Sequence, residues 1–170
     1  MNRVALRRTR AVAGAAARTA EPATVGRAAA HDPRWPGVCT ALAGLREQRR
    51  RAVRIVDADC GDGRLLLAAV RHARALGFTA IEGRGIDGSP ALVGRARTTA
   101  ARLADPAIGV TFDMADASVA LTEEFDLPAD IVLWHGSRPG DLNAGIAAAL
   151  SRAGDRVICD CPVATGESRP

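Results

Sequence analysis

Lysine and tyrosine are missing from this chain, and aromatic residues of all kinds make up only 3% of it. The 23 basic residues are therefore all arginine, set against 19 acidic ones. Such arginine-only, alanine-rich usage is the mark of a GC-rich genome. The net charge of +4 accordingly reads as a solvated basic surface, and nucleic acid is not an expected partner. No apolar run approaches the roughly 20 residues that a bilayer-spanning helix requires, so no membrane role is expected. The four cysteines, Cys39, Cys60, Cys159 and Cys161, form no Cys-x-x-Cys pair and show no His–Cys spacing, which leaves no metal site to expect. Free thiols in a reducing, cytoplasmic compartment are the expectation instead.

What is present suffices for one globular domain. The chain has 170 residues and 48% apolar content, much of it alanine, enough for a single core. Residues 1–33 form an Arg/Ala-rich segment in which little fixed structure is expected. Its first 20 residues carry five arginines and no acid, but the run Ala11–Ala17 is too weakly apolar for the core of a signal peptide. A single domain is expected over 34–165.

Within that domain the apolar pattern alternates between two periods. Val38, Leu42 and Leu45 recur at helical spacing from Pro36, with Arg49-Arg50-Arg51 suited to the negative end of the helix. Strands are expected near 53–57, 81–87, 108–113, 129–134 and 156–160. Helices are expected near 63–76, closed by Gly77, from Ser89-Pro90 to Leu103, and near 141–152. The stretch 118–126 has no clear pattern. Strands alternating with helices predict an α/β fold, a doubly wound and mostly parallel sheet with right-handed crossovers. In such sheets the ligand lies beyond the strand C-termini. Asp57, Asp87, Asp116, Trp134 and His135 all fall at or just past those ends, so they converge on one edge.

The most informative stretch is Ile55-Val56-Asp57-Ala58-Asp59-Cys60-Gly61-Asp62-Gly63, an apolar run that ends in a carboxylate and breaks into a glycine turn. Asp87 closes the next run, Gly85-Ile86-Asp87. A carboxylate there can accept two hydrogen bonds from a ribose diol, and its charge strengthens both. Gly61 and Gly63 would let a ligand approach backbone with no Cβ in the way. Asp57 would either brace the turn or help receive an ammonium group.

These residues resemble the class I S-adenosylmethionine-dependent methyltransferases over about residues 53–160. Val56 to Gly63 is similar to the family's first motif, and Gly85-Ile86-Asp87-Gly88-Ser89-Pro90 to the second, whose acid binds the ribose hydroxyls. Phe112 to Ala117 is similar to the third, whose acid lies against the adenine, and Phe125 to Gly136 stands in the place of the fourth. The resemblance implies a Rossmann-like sheet of order 3-2-1-4-5 and S-adenosyl-L-methionine as cofactor. It implies cofactor-binding roles for Asp57, Asp59, Cys60, Gly61, Gly63, Asp87, Gly88, Asp116 and Trp134. His135 is the candidate catalytic base, because imidazole titrates near neutrality.

Two departures stand out. Asp59 replaces a glycine usual in the family, and it either contacts the cofactor ammonium or obstructs the site. The family's sheet also continues past its fifth strand with a helix and a terminal hairpin, for which Cys161 to Pro170 are too few residues. The expectation is a minimal or truncated relative whose open sheet edge takes a second copy or a partner protein. Methyl transfer to a small molecule is the leading reading. A non-catalytic module binding a protein or RNA is the alternative. A nicotinamide dehydrogenase is disfavoured because Gly-x-Gly-x-x-Gly fails in either register: begun at Gly61 it meets Leu66 in the third place, and begun two residues earlier it has Asp59 in the first and Arg64 in the third.

Overall fold

The structure is a computed structural model that describes residues 29–136 and 143–160. A turn at 29–34 leads into helix α1 (Trp35–Glu47), followed by strand β1 (Ala52–Asp57), α2 (Arg64–Ala75), β2 (Ala80–Asp87), α3 (Pro90–Ala100) and β3 (Ile108–Met114). Helix α4 (Ala117–Glu123) runs into a 3-10 turn (Glu124–Asp126), and β4 (Ile131–Trp134), α5 (Ala144–Ala153) and β5 (Val157–Cys159) complete the order. The five strands form one sheet in the order β3-β2-β1-β4-β5, every pair parallel. The doubly wound sheet expected from the alternating periods is therefore what the chain builds.

Alternation along the strands divides the core into two layers. Val53, Ile55, Ile81, Phe112, Ile131 and Leu133 face α1, α2 and α3, where Leu42, Leu66, Leu67 and Val93 are fully buried. Val56, Ile86, Val132 and Trp134 face the other way, against Ala120 and Leu121 of α4 and Leu150 and Ala153 of α5. Strand order places β1 centrally, so its C-terminal end opens between β2 and β4 with both neighbours in register: Asp57 pairs across to Gly85 and Leu133.

Several element ends differ from the sequence reading. Helix α1 stops at Glu47, and Arg49 takes a left-handed φ of 63°, so Arg49-Arg50-Arg51 lies beyond the helix end. Helix α3 ends at Ala100, short of Leu103, and the Ser89 side chain makes no capping bond although it holds the N-cap position. The unpatterned stretch contains α4, whose turns bury little more than Ala120 and Leu121. That is too sparse to register as a helical period. The expected helix at 141–152 begins at Ala144, capped by Asn143, with 141 and 142 outside the described residues. Cys39 and Cys60 are free as expected, but Cys159 is disulfide-bonded, and Cys161 lies outside the described residues. No helix among the described residues is long and apolar enough to cross a membrane.

Candidate functional site

The loop after β1 is held by the carboxylate that ends β2. Asp87 Oδ2 accepts the Gly61 amide at 2.9 Å, and Oδ1 accepts the Ser89 amide at 2.7 Å. A further tie runs from the Cys60 amide to the Ile86 carbonyl at 2.9 Å. Asp87, from the neighbouring strand, thus braces this loop alongside Asp57, whose carboxylate accepts the Asp59 backbone N–H. Each Asp87 oxygen accepts one protein hydrogen bond, and an ionised carboxylate has acceptor sites for about four. Capacity for a diol remains.

The two turn glycines serve different ends. Gly61 has φ 55° and open space where a Cβ would stand, which suits the approach of a ligand. Gly63 has φ 76°, and a Cβ there would lie 2.7 Å from the Phe112 ring, so its small size serves the core. Gly63→Ala should therefore lose about 3 kcal/mol in urea unfolding, from strain plus overpacking. Gly61→Ala should lose only about 1 kcal/mol, from its left-handed backbone alone. Equal losses would contradict this division. Cys60 belongs to the core and also lines the smaller cleft beside Gly61. Its thiol packs among buried side chains, and burial pushes its pKa upward, followed in effect by the charges of Asp57, Asp87 and Asp59.

Two clefts meet at the C-terminal edge of the sheet. The larger, about 790 Å³, is lined by Asp59, Asp87, Gly88, Asp116, Trp134 and His135 among others. The smaller, about 260 Å³, is lined by Asp32, Arg34, Asp59, Gly61 and His135 among others. Asp59 and His135 belong to both, so they mark the junction. Asp116 caps α4 through the Ser118 and Val119 amides at 2.9 and 3.2 Å, and the Ser118 hydrogen bonds hold its pKa below the usual carboxylate value. Trp134 is packed under the larger cleft, and its indole N–H has no hydrogen-bond partner among the described residues.

Behind the smaller cleft lies an unusual charge pair. Asp57 is wholly buried and lines neither cleft; Arg34 Nη1 stands 3.6 Å from its Oδ1. The Asp57 carboxylate takes the Asp59 backbone N–H and faces Arg34 Nη1 across that gap, so the buried pair is held by charge and not by a direct hydrogen bond between its members. Asp32 fixes the guanidinium from the other side, accepting from Nε at 3.0 Å and from Nη2 at 2.9 Å. Burial raises the Asp57 pKa to about 7; Arg34 opposes the rise, while Asp59 and Asp32 add to it. Arg34 and Asp32 were not read from the sequence, since Asp32-Pro33-Arg34 sits in a stretch without apolar period. Asp160 was also missed as a site residue: it accepts the Gly136 amide at 2.8 Å and contacts His135 Nδ1. A signal for it did exist, an acid closing an apolar run as in Asp57 and Asp87.

Five parallel strands in this order with helices on both faces form the Rossmann-like fold that solved methyltransferase structures also have. Among solved structures, that of magnesium protoporphyrin IX methyltransferase (ChlM) from Synechocystis PCC 6803 with bound SAM is similar at a TM-score of 0.51 and 21% identity. The match covers 73% of this chain and 56% of that one. The same enzyme with bound SAH matches at a TM-score of 0.51 and 21% identity, over 73% of this chain and 53% of that one. The chain thus spans little more than half the length of these neighbours. No family model matches the sequence, and no curated protein matches it significantly.

Proposed function

We propose that the two joined clefts bind S-adenosyl-L-methionine and that the chain transfers its methyl group to a small-molecule acceptor. The observation that carries this reading is Asp87: a buried carboxylate that organises the glycine turn, lines the larger cleft and keeps acceptor capacity for a ribose diol. The donor set also fits the rest of the cofactor. Asp116 and Gly88 line the same cleft for the adenine side. Arg34, Asp32 and the open Gly61 backbone line the smaller cleft for a zwitterionic amino-acid end. Asp59 at the junction adds negative charge suited to an ammonium or sulfonium group.

When bound, the cofactor supplies an electrophilic methyl group on sulfur. What the residues of this chain contribute is orientation and exclusion of water. Asp87 fixes the ribose end while the charged floor under the smaller cleft fixes the other. His135 and Asp59, which line both clefts, would then flank the sulfonium end of a bound cofactor.

Calorimetric titration of the intact chain with S-adenosylmethionine and S-adenosylhomocysteine tests the reading. Micromolar affinity, about −8 kcal/mol, is expected for the wild type. Asp87→Asn, which keeps the shape but removes the charge, should weaken binding at least tenfold, with circular dichroism confirming the fold. A folded wild type that binds neither compound would overturn the proposal.

A further inference from the structure

His135 follows β4 and Asp160 follows β5, so adjacent parallel strands deliver an imidazole and a carboxylate to the same edge of the sheet. The contact is directional. His135 Nδ1 meets Asp160 Oδ2, while Asp160 Oδ1 is held by the Gly136 amide at 2.8 Å. The carboxylate is 6% exposed and the imidazole 43%, so a buried acid supports a base that reaches into both clefts. An acidic partner on one ring nitrogen sets the tautomer and leaves the other nitrogen, Nε2, as the acceptor. The other charged groups lining the two clefts with the imidazole are Asp87 and Asp116 on the larger side and Asp62 and Arg64 on the smaller. Asp59 after β1 and Asp32 and Arg34 before α1 complete the set; these three line the smaller cleft and lie nearest the buried Asp57.

We infer that His135 is a general base for methyl transfer and Asp160 its positioning residue, so that the acceptor is an oxygen or nitrogen group that must lose a proton to react. The inference rests on the methyl-transfer reading for its reaction and on the geometry for its dyad. As the acceptor's lone pair forms the new bond to the methyl carbon, the carbon–sulfur bond breaks and its electron pair stays on sulfur, which becomes a neutral thioether. The acceptor's proton passes to Nε2, and Asp160 balances the imidazolium that results. An acceptor that already carries a free lone pair and no acidic proton would need no such pair. The logic is that of an oriented imidazole base, recognised by geometry and not by sequence position.

The test uses the intact chain labelled with ¹⁵N, with and without saturating S-adenosylhomocysteine. In the wild type, His135 should show the tautomer protonated at Nδ1. Diethyl pyrocarbonate should acylate His135 at Nε2, located by mass spectrometry against His31 and His72, and S-adenosylhomocysteine should protect it. Asp160→Asn should erase the tautomer preference and slow acylation severalfold while leaving affinity for S-adenosylhomocysteine within about twofold. A His135 protonated at Nε2, or a tautomer and acylation rate unchanged in Asp160→Asn, would overturn the dyad. Should Asp160→Asn unfold, Asp160→Glu, which keeps the charge and restores the tautomer only if the contact matters, carries the same comparison. Loss of S-adenosylhomocysteine binding in a wild type with the expected tautomer would instead overturn the cofactor reading and the base's role in methyl transfer, leaving the paired imidazole in place.

Discussion

Asp57→Asn is expected to stabilise the ligand-free protein at pH 8 while weakening its hold on S-adenosylhomocysteine. The stability effect follows from linkage. Burial raises the Asp57 pKa from 3.8 to about 7 in the folded chain. Between those values the folded state keeps a proton that the unfolded state has released, so stability falls as pH rises through this window. The full cost is reached above the folded pKa. A shift of about 3 units corresponds to about 4 kcal/mol, an order-of-magnitude ceiling for a carboxylate sealed from solvent. Asparagine fills nearly the same volume and has no charge to bury. The melting midpoint at pH 8 should therefore rise by about 10 °C. At pH 5 the gain should shrink to under half of that, and it should vanish only below about pH 3, under the unfolded pKa. A gain that did not depend on pH would show that the ionised carboxylate is not its source.

The opposite effect on binding comes from the same charge. Asp57 lies behind the smaller cleft with Arg34, Asp59 and Asp32 around it, and a ligand ammonium placed in that cleft would favour the ionised form. Affinity for S-adenosylhomocysteine should then fall as pH drops below 7, with close to one proton released per ligand bound at pH 6. Asp57→Asn should lose about tenfold in affinity, about 1.4 kcal/mol, together with the proton release. Calorimetry in buffers of different ionisation enthalpy measures both. This pairing of a stability cost with a binding gain is the usual mark of a functional buried charge.

How far this could be read from the sequence depends on the distance over which each feature is encoded. Asp57 and Asp87 were legible because each ends its own apolar run, and a parallel strand announces itself locally. The strand alternation gave the sheet for the same reason. Arg34, and Asp32 that holds it, were invisible: the partner of Arg34, Asp57, lies more than 20 residues on, and nothing local marks a guanidinium as buried. The bracing was half legible for a related reason. Asp57 precedes the glycine turn and reaches the Asp59 amide locally, whereas Asp87 reaches the Gly61 amide only through the pairing of β1 with β2. The glycine pair looked alike in sequence and separated only when Phe112, from β3, was seen packed against Gly63. Helix α4 failed on pattern because one of its two anchors to the sheet is electrostatic.

That anchor carries a mutational cost as large as any expected in the fold. Glu124, in the 3-10 turn after α4, is 1% exposed and faces the half of the sheet where β1 and β2 present arginines. Its carboxylate binds Arg84 Nη1 at 2.7 Å and also contacts Arg54 Nη1. Arg54 is held in turn by Glu82 at 3.0 Å and by the Leu127 carbonyl at 2.6 Å. Arg84 is held by Asp113 at 2.8 Å and Glu123 at 2.6 Å. Glu124→Ala would leave two guanidiniums facing a cavity, and removing one member of a buried ion pair costs about 3–5 kcal/mol. Because both arginines keep other carboxylates, the lower end, about 3 kcal/mol, is the expected loss in urea unfolding. Burial should make that loss nearly independent of salt, unlike a surface pair. Arg84→Met in the same background should cost less than in the wild type, because the two residues share one contact. Full additivity would show that α4 is held by its few apolar residues and that the arginines are bystanders. The expected coupling instead ties the helix that carries the Asp116 side of the cleft to the two strands that carry Asp57 and Asp87.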